Sequence, residues 1–244
     1  MKIDINCDMG ESIGSNIVGN DVAIFPYITS CNIACGFHGG DPYHIQKTID
    51  MALEYGVRIG AHPSYPDLEG FGRRKMEIKR SILKSILKYQ ISAVKGMVES
   101  AGGKLSYVKP HGALYNTAAM SVDETQTIIE AISEIDNNIA LMGLANSVMM
   151  SETEKSTISF IAEAFADRRY SSNGQLKSRN EGNSVIHNPD EALQQVVSLW
   201  LENQINTDDG IQLNIKADSI CVHGDNPQAV EILKAINTFI SSQS

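Results

Sequence analysis

A TIM-like (β/α) barrel of about seven strands is the α/β fold that this sequence predicts. Three observations carry it. Short apolar runs alternate with helical stretches, most runs end in a polar motif, and no repeat, linker or low-complexity tract divides the 244 residues. Strands that are apolar throughout belong to a parallel sheet covered on both faces. About seven such units in one domain, all right-handed, close most simply into a barrel, which can fall short of eight strands. An open doubly wound sheet is the other topology available. Both gather ligands at the carboxyl ends of the strands, so the functional reading does not depend on closure.

The strand candidates follow in order: 3–6, 32–35, 57–61, 105–108, 139–144, 158–162 and 219–222. Residues 211–215 alternate instead, which predicts a half-exposed strand before the last unit. Asp41-Pro42, Asn188-Pro189 and Asn226-Pro227 each place an Asx N-cap before a proline suited to the first helical turn. Ser121 and Glu124 have capping-box spacing. Gly56 marks a helix end. From 77 to 101, Ile78, Ile82, Ile86 and Leu87 form an apolar stripe, with Lys79, Arg80, Lys84 and Lys88 as its solvated face.

A chain of this length builds its core without staples. The net charge of −9 excludes broad contact with nucleic acid or anionic membrane, though one or two placed cations would still hold a small anion. No run approaches the ~20 apolar residues of a membrane span. The opening residues, Met1 to Asp8, are acidic and strand-like without a hydrophobic signal core, so a cytoplasmic protein with reduced cysteines is expected. Cys31, Cys35 and His38 suggest zinc, but no second Cys pair or paired His completes a tetrahedral set. The four cysteines therefore read as small buried thiols.

Chemistry concentrates where strands end. Asp8 and Glu11 follow the first run, His38 the second, His62 the third, Lys109 and His111 the fourth, Glu163, Asp167 and Arg168 the sixth, and His223 the last. One such histidine is usually a satisfied structural residue; several at one barrel mouth make a site. Lys109 offers a point charge for a developing oxyanion or phosphate, and His111 moves protons near neutral pH. The acids offer a general base, though Arg168 or Arg169 also suffices to explain them as ion pairs. His44 reads as outward-facing or packed on its helix, and His187 receives no role. Gly70-Phe71-Gly72-Arg73-Arg74 matches neither the phosphate loop nor the dinucleotide fingerprint, and no other nucleotide signature appears.

Together, 4–11, 32–38, 60–63 with 66–74, 108–116, 165–168 and 221–225 resemble the LamB/YcsF family in order along the whole chain. The resemblance implies a barrel related to the glycoside hydrolase/deacetylase folds. It also implies ATP-dependent opening of 5-oxoproline to L-glutamate jointly with 5-oxoprolinase subunits B and C, ATP entering with Mg. Gly39 and Ser64 stand where Ala and Gly are expected, and Lys177-Ser178 where Val-Pro is commoner; Ser64 is expected to alter the loop after His62. With this chemistry in view, Asp8, Lys109, His111, Glu163 and Asp167 are the catalytic candidates. Asn6, His38, His62, Arg74, Tyr115, Asn116, Arg168 and His223 are the substrate-binding ones. Which acid or histidine is the base stays open at this level.

Two other readings remain. A metal-dependent deacetylase or amidase would use Asp8, His38 and His62, but the histidines sit on separate units rather than one helical turn, and no bound transition metal is expected. A non-catalytic component that merely holds 5-oxoproline fits the missing nucleotide motif and sits poorly with so many titratable groups.

Overall fold

The computed structural model describes residues 3–179 and 181–243; Met1 and Lys2 of the opening run lie outside them. Seven parallel strands close into a barrel: β1 (Asp4–Met9), β2 (Ser30–Ala34), β3 (Arg58–His62), β4 (Leu105–Val108), β5 (Ala140–Leu144), β6 (Phe160–Phe165) and, after an antiparallel β7–β8 pair (Gln204–Asn206 and Gln212–Asn214), β9 (Ser219–Cys221), which joins β6 to β1. The barrel reading stands, and the open sheet is excluded by the β9–β1 pairing. β8 is the half-exposed strand expected near 211–215.

The connecting helices are α1 (Asp21–Ile24), α2 (Pro42–Glu54), α3 (Arg80–Ser100), α4 (Gly112–Ala118), α5 (Val122–Ser133), α6 (Val148–Thr153), α7 (Pro189–Glu202) and α8 (Ala229–Ser242). Asp41 caps α2 by accepting from the His44 N–H, and Asn188 caps α7 by accepting from Asp190 and Glu191, with proline following each cap as expected. Asn226-Pro227 does not open α8. The cap of α8 is Gln228; Asn226 Oδ1 accepts from the Gln228 N–H in the turn before the helix, while its Nδ2 donates to Asp167 Oδ2 and the Ile186 carbonyl. Ser121 sits at the N-cap of α5, yet its hydroxyl donates to Glu124 rather than capping an N–H. Along α3 the buried stripe is Leu83, Leu87, Ile91, Val94 and Val98, while Ile82 is exposed. The stripe is thus rotated from the one read in sequence, because Arg80, Lys84 and Lys88 turn toward Glu130 and Glu134 of α5. Among the described residues no helix is long and apolar enough to cross a membrane.

The barrel interior departs from the usual filling of branched aliphatic side chains. Asn6, Asn32, Tyr107, Glu163 and Ser219 are all buried within it. A Cβ on Gly60 would fall 2.2 Å from the Tyr107 ring, so glycine leaves the space into which that ring crosses the barrel. The Tyr107 hydroxyl then donates to Asn32 Oδ1 at 2.7 Å.

Candidate active site

The floor of the site is a network of buried polar groups. Asn6 and Asp8 lie two residues apart on β1, so both face inward, and register places Asn32 of β2 beside Asp8. Asn32 Nδ2 donates to Asn6 Oδ1 and Asp8 Oδ1, each at 2.8 Å. Asn6 in turn donates to the Ser219 hydroxyl at 2.8 Å. Lys109, just beyond β4, extends its ammonium into this ring: 3.0 Å to Asp8 Oδ1, 2.7 Å to Glu163 Oε1, 3.1 Å to Asn6 Oδ1 and 3.2 Å to Cys221 Sγ. The Tyr115 hydroxyl donates to Glu163 Oε2 at 2.7 Å. β6 begins two residues later and runs three residues further than the apolar run 158–162 suggested, so Glu163 is an inward strand residue rather than one past a strand end.

Electrostatics follows from this arrangement. Burial alone would raise the Asp8 carboxyl, but His62 and Lys109 hold it well below the carboxylate range. Burial would lower Lys109; Asp8, Cys221 and Glu163 instead keep its ammonium charged. The floor is therefore a fixed ion network, and Asp8 is a poor proton acceptor.

Beside it stand three imidazoles from separate strand ends, with His38 and His111 stacked at 3.7 Å between ring centroids. His62 Nδ1 donates to the Lys109 carbonyl at 2.7 Å, and His111 Nε2 donates to the Phe71 carbonyl at 2.9 Å. These bonds leave His62 Nε2 and His111 Nδ1 facing one another at 2.9 Å. With both rings neutral, their hydrogens are used on the carbonyls and the facing nitrogens oppose lone pairs. Burial, His38 and His62 hold His111 well below the ordinary histidine range, and burial with His62 does the same to His38. A proton delivered to the pair would be shared between the two facing nitrogens, with Asp8 Oδ2 3.4 Å from His62 and Glu11 Oε1 3.6 Å from His111. Glu11 itself is pushed up by burial and by Asp8, and its Oε1 meets His38 Nε2 at 3.2 Å.

The loop 70–74, which matched no anion motif, packs on these rings. Phe71 has φ +53° and aims its carbonyl at His111; Gly72 has φ +66°, and a Cβ there would come within 2.9 Å of His111 and His38. In the loop after His62, the Ser64 hydroxyl donates to the Tyr65 carbonyl at 2.8 Å. Gly39 meets the Glu11 backbone: an added Cβ would lie 2.9 Å from its carbonyl oxygen.

A cavity of about 420 Å³ opens over Asp8, His62, Lys109, His111, Tyr115, Asn116, Arg168 and His223. The remaining candidates are placed differently. Asn6, His38 and Glu163 stand behind that surface as supports. Asp167 faces away from the cavity, accepting from His223 Nδ1 at 2.8 Å, and burial notwithstanding His223 keeps it below its ordinary range. Arg74 points outward, 62% exposed, onto Asp67. His44 bonds Asp41 and His187 bonds Asn226, both outside the site. Cys7, Cys31, Cys35 and Cys221 are free, buried thiols. Glu11, Phe71, Arg73 and Arg179 also line the cavity and were not among the sequence candidates, although Glu11 lies in the same strand-end motif as Asp8.

Among the described residues, two groups have ligand atoms close enough for one metal ion: Glu11, His38, His62 and His111, all within 4.8 Å of one another, and Asp8, Cys221 and His223. The second already holds the Lys109 ammonium, which opposes a cation.

The similarity of this chain to known proteins spans its length. A protein from Bacillus cereus (strain AH187), named the A subunit of 5-oxoprolinase, is 46% identical over 235 residues, covering 96% of this chain and 93% of that protein. One of the same name from Acinetobacter baylyi is 45% identical, covering 100% and 96%. A crystal structure called lactam utilization protein, from Thermus thermophilus, superposes with TM-score 0.93 at 37% identity, covering 100% and 97% of the two chains. The LamB/YcsF family model matches residues 3–244, and the chain belongs to that family.

Proposed function

We propose that this chain is the component of an ATP-dependent 5-oxoprolinase that holds 5-oxo-L-proline and carries its hydrolysis to L-glutamate, in concert with subunits B and C in the cytoplasm. The observation that carries the reading is the Lys109 ammonium held between Asp8 and Glu163 on the cavity floor, next to a buried imidazole pair with opposed lone pairs. The names of the relatives from Bacillus and Acinetobacter support the substrate.

A lactam carbonyl resists water, and ATP, supplied with Mg, would activate it by phosphorylating the carbonyl oxygen. Water then adds to that carbon and the ring C–N bond breaks with the nitrogen leaving as an amine, which leaves an acyl phosphate; a second water hydrolyses it, releasing phosphate as the second carboxylate forms. Overall, 5-oxoproline, ATP and two waters give glutamate, ADP and phosphate. Lys109 is suited to offset negative charge on the activated oxygen. The His62–His111 pair is suited to take the proton of the attacking water, since its first proton relieves the lone-pair opposition. Asp8, fixed as an anion, favours that charge.

One observation favours a second reading, a metal-dependent amidase: the sequence separation of the histidines vanishes in the fold, and Glu11, His38, His62 and His111 converge. Against it, His38 and His111 lie 4° from parallel, so their in-plane lone pairs cannot both meet one ion without a ring turning. The deciding experiment measures glutamate release from 5-oxoproline and ATP by this chain alone, by subunits B and C alone, and by the mixture. Release in the mixture only, insensitive to chelators after Mg is restored, supports the proposal. Release that is equal when His111→Ala replaces the wild type reduces this chain to a binding component, and release in no combination removes the proposal.

A further inference from the structure

The mouth of the cavity carries three guanidinium groups from three different segments. Arg73 comes from the loop after β3, Arg168 from just beyond β6, and Arg179 from the long loop that follows. Arg73 and Arg179 both reach Asp225 Oδ2, the second at 3.1 Å. Arg168 is buried and, among the described residues, has no acid within ion-pair reach; it donates to the Lys177 and Ser184 carbonyls. Burial and then Arg179 depress its pKa to about 10. The other acids at the cavity have further partners, Glu11 meeting His38 Nε2 at 3.2 Å. Asp167 faces His223 and Asn226, Asp8 faces Lys109, and exposed Glu181 accepts from the Ser178 N–H at the rim.

Two of these three cations share the Asp225 carboxylate at the edge of the cavity, and the buried third has carbonyl oxygens for partners. Like charges held together outside bulk water repel, and an anion between them relieves that repulsion. Guanidinium forks match phosphoryl oxygens in geometry, and three of them from separate segments can divide the several oxygens of a dianion where a lone carboxylate offers only two. We propose that Arg73, Arg168 and Arg179 form a phosphoryl-binding subsite at the cavity mouth, with Asp225 occupying two of its arms until the anion arrives. This rests on the ATP-dependent reading only for the source of the phosphoryl group; binding of the anion requires neither turnover nor partner subunits.

The test titrates the full-length chain with inorganic phosphate by calorimetry at low ionic strength, with acetate and 5-oxoproline as parallel ligands. Arg73→Gln and Arg179→Gln should each weaken phosphate about tenfold. Asp225→Asn should strengthen it about tenfold by removing the competing carboxylate, a gain that a purely structural ion cluster would not give. Thermal unfolding of each variant shows whether it is folded; should the arginine variants not fold, the Asp225→Asn result decides. Absence of phosphate binding in both wild type and Asp225→Asn overturns the proposal, as does equal affinity in all variants. Arginine-dependent binding of acetate or 5-oxoproline without phosphate would assign the subsite to a substrate carboxylate and equally overturn it. Glutamate release by the assembled subunits is scored separately. Intact release with no phosphate binding removes the subsite and keeps the function, and phosphate binding without release does the reverse.

Discussion

The floor and the mouth of the cavity solve opposite electrostatic problems. On the floor, Lys109 is matched by Asp8 and Glu163, every partner is buried, Asn32 also donates to Asp8 Oδ1, and Tyr115 donates to Glu163 Oε2. At the mouth, Arg73 and Arg179 share the half-buried Asp225 carboxylate, and Arg168 has no acid within ion-pair reach among the described residues. A saturated network is rigid and holds charge where a reaction needs it; an unsaturated one has affinity to spare for a ligand. The difference separates groups that should act in the chemical step from groups that should act in capture.

The comparison breaks most readily at Lys109. Lys109→Ala leaves Asp8 and Glu163 buried without their cation, and removal of one partner from a buried pair costs roughly 3–5 kcal/mol. Denaturant unfolding of the variant should show a loss of that size, and glutamate release by the assembly should fall at least ~100-fold. Unchanged stability would mean that the floor does not depend on this ion pair. His111→Ala should separate the two effects: turnover drops by about 100-fold, with a smaller loss of stability than Lys109→Ala produces. Turnover within a few-fold of wild type would take the histidine pair out of the proton transfer.

Much of the floor was legible in the sequence because strand ends announce themselves. Asp8, Lys109 and His111 follow apolar runs directly, and barrel closure brings such ends together whichever residues occupy them. Glu163 was found for a partly wrong reason, since its strand continues past it through Phe165. The mouth was much less visible. Arg73 and Arg179 sit in loops without periodicity, and nothing local says that both will reach Asp225, 152 and 46 residues away. The same limit applies to Asn226-Pro227: its oxygen makes the local bond to the Gln228 N–H that the dipeptide favours, but nothing local shows that its nitrogen will reach Asp167 or that α8 starts only at Ala229. Local propensity decides where competition is local; Asp41 and Asn188 cap as expected for that reason.

Acid sharpens the contrast. His38 and His111 are held below the ordinary histidine value of about 6.5, so the folded chain binds fewer protons there than the unfolded chain does. Stability contributed by these neutral rings is complete above about pH 6.5 and declines as pH falls below it, until the folded rings also protonate. Unfolding free energy measured between pH 7 and pH 5 should therefore fall, and the slope should shrink in His111→Ala. His111 stays neutral below the same pH, so an acid limb of kcat/KM set by His111 in the assembled enzyme should lie under about 6.5. An acid limb above that value would place the controlling proton on a different group.

The smallest effect is expected at Arg74, which the family motif carries next to Arg73 and which the fold sends the other way. Its side chain is 62% exposed and pairs with Asp67 and Glu69 outside the cavity, whereas Arg73 turns inward to Asp225. Adjacent residues in an irregular loop need share neither a face nor a function, so the two should differ when each is changed to alanine. Arg74→Ala should leave turnover within about twofold of wild type, since its guanidinium lies outside the cavity and the Gly70 and Arg74 backbone N–H groups still bond the buried Asp67 carboxylate. Arg73→Ala should raise the KM for the phosphoryl donor in the assembled enzyme. If Arg74→Ala instead matched Arg73→Ala in KM, the loop would have to present both guanidinium groups to the ligand, and the division between mouth and outer surface would need to be redrawn.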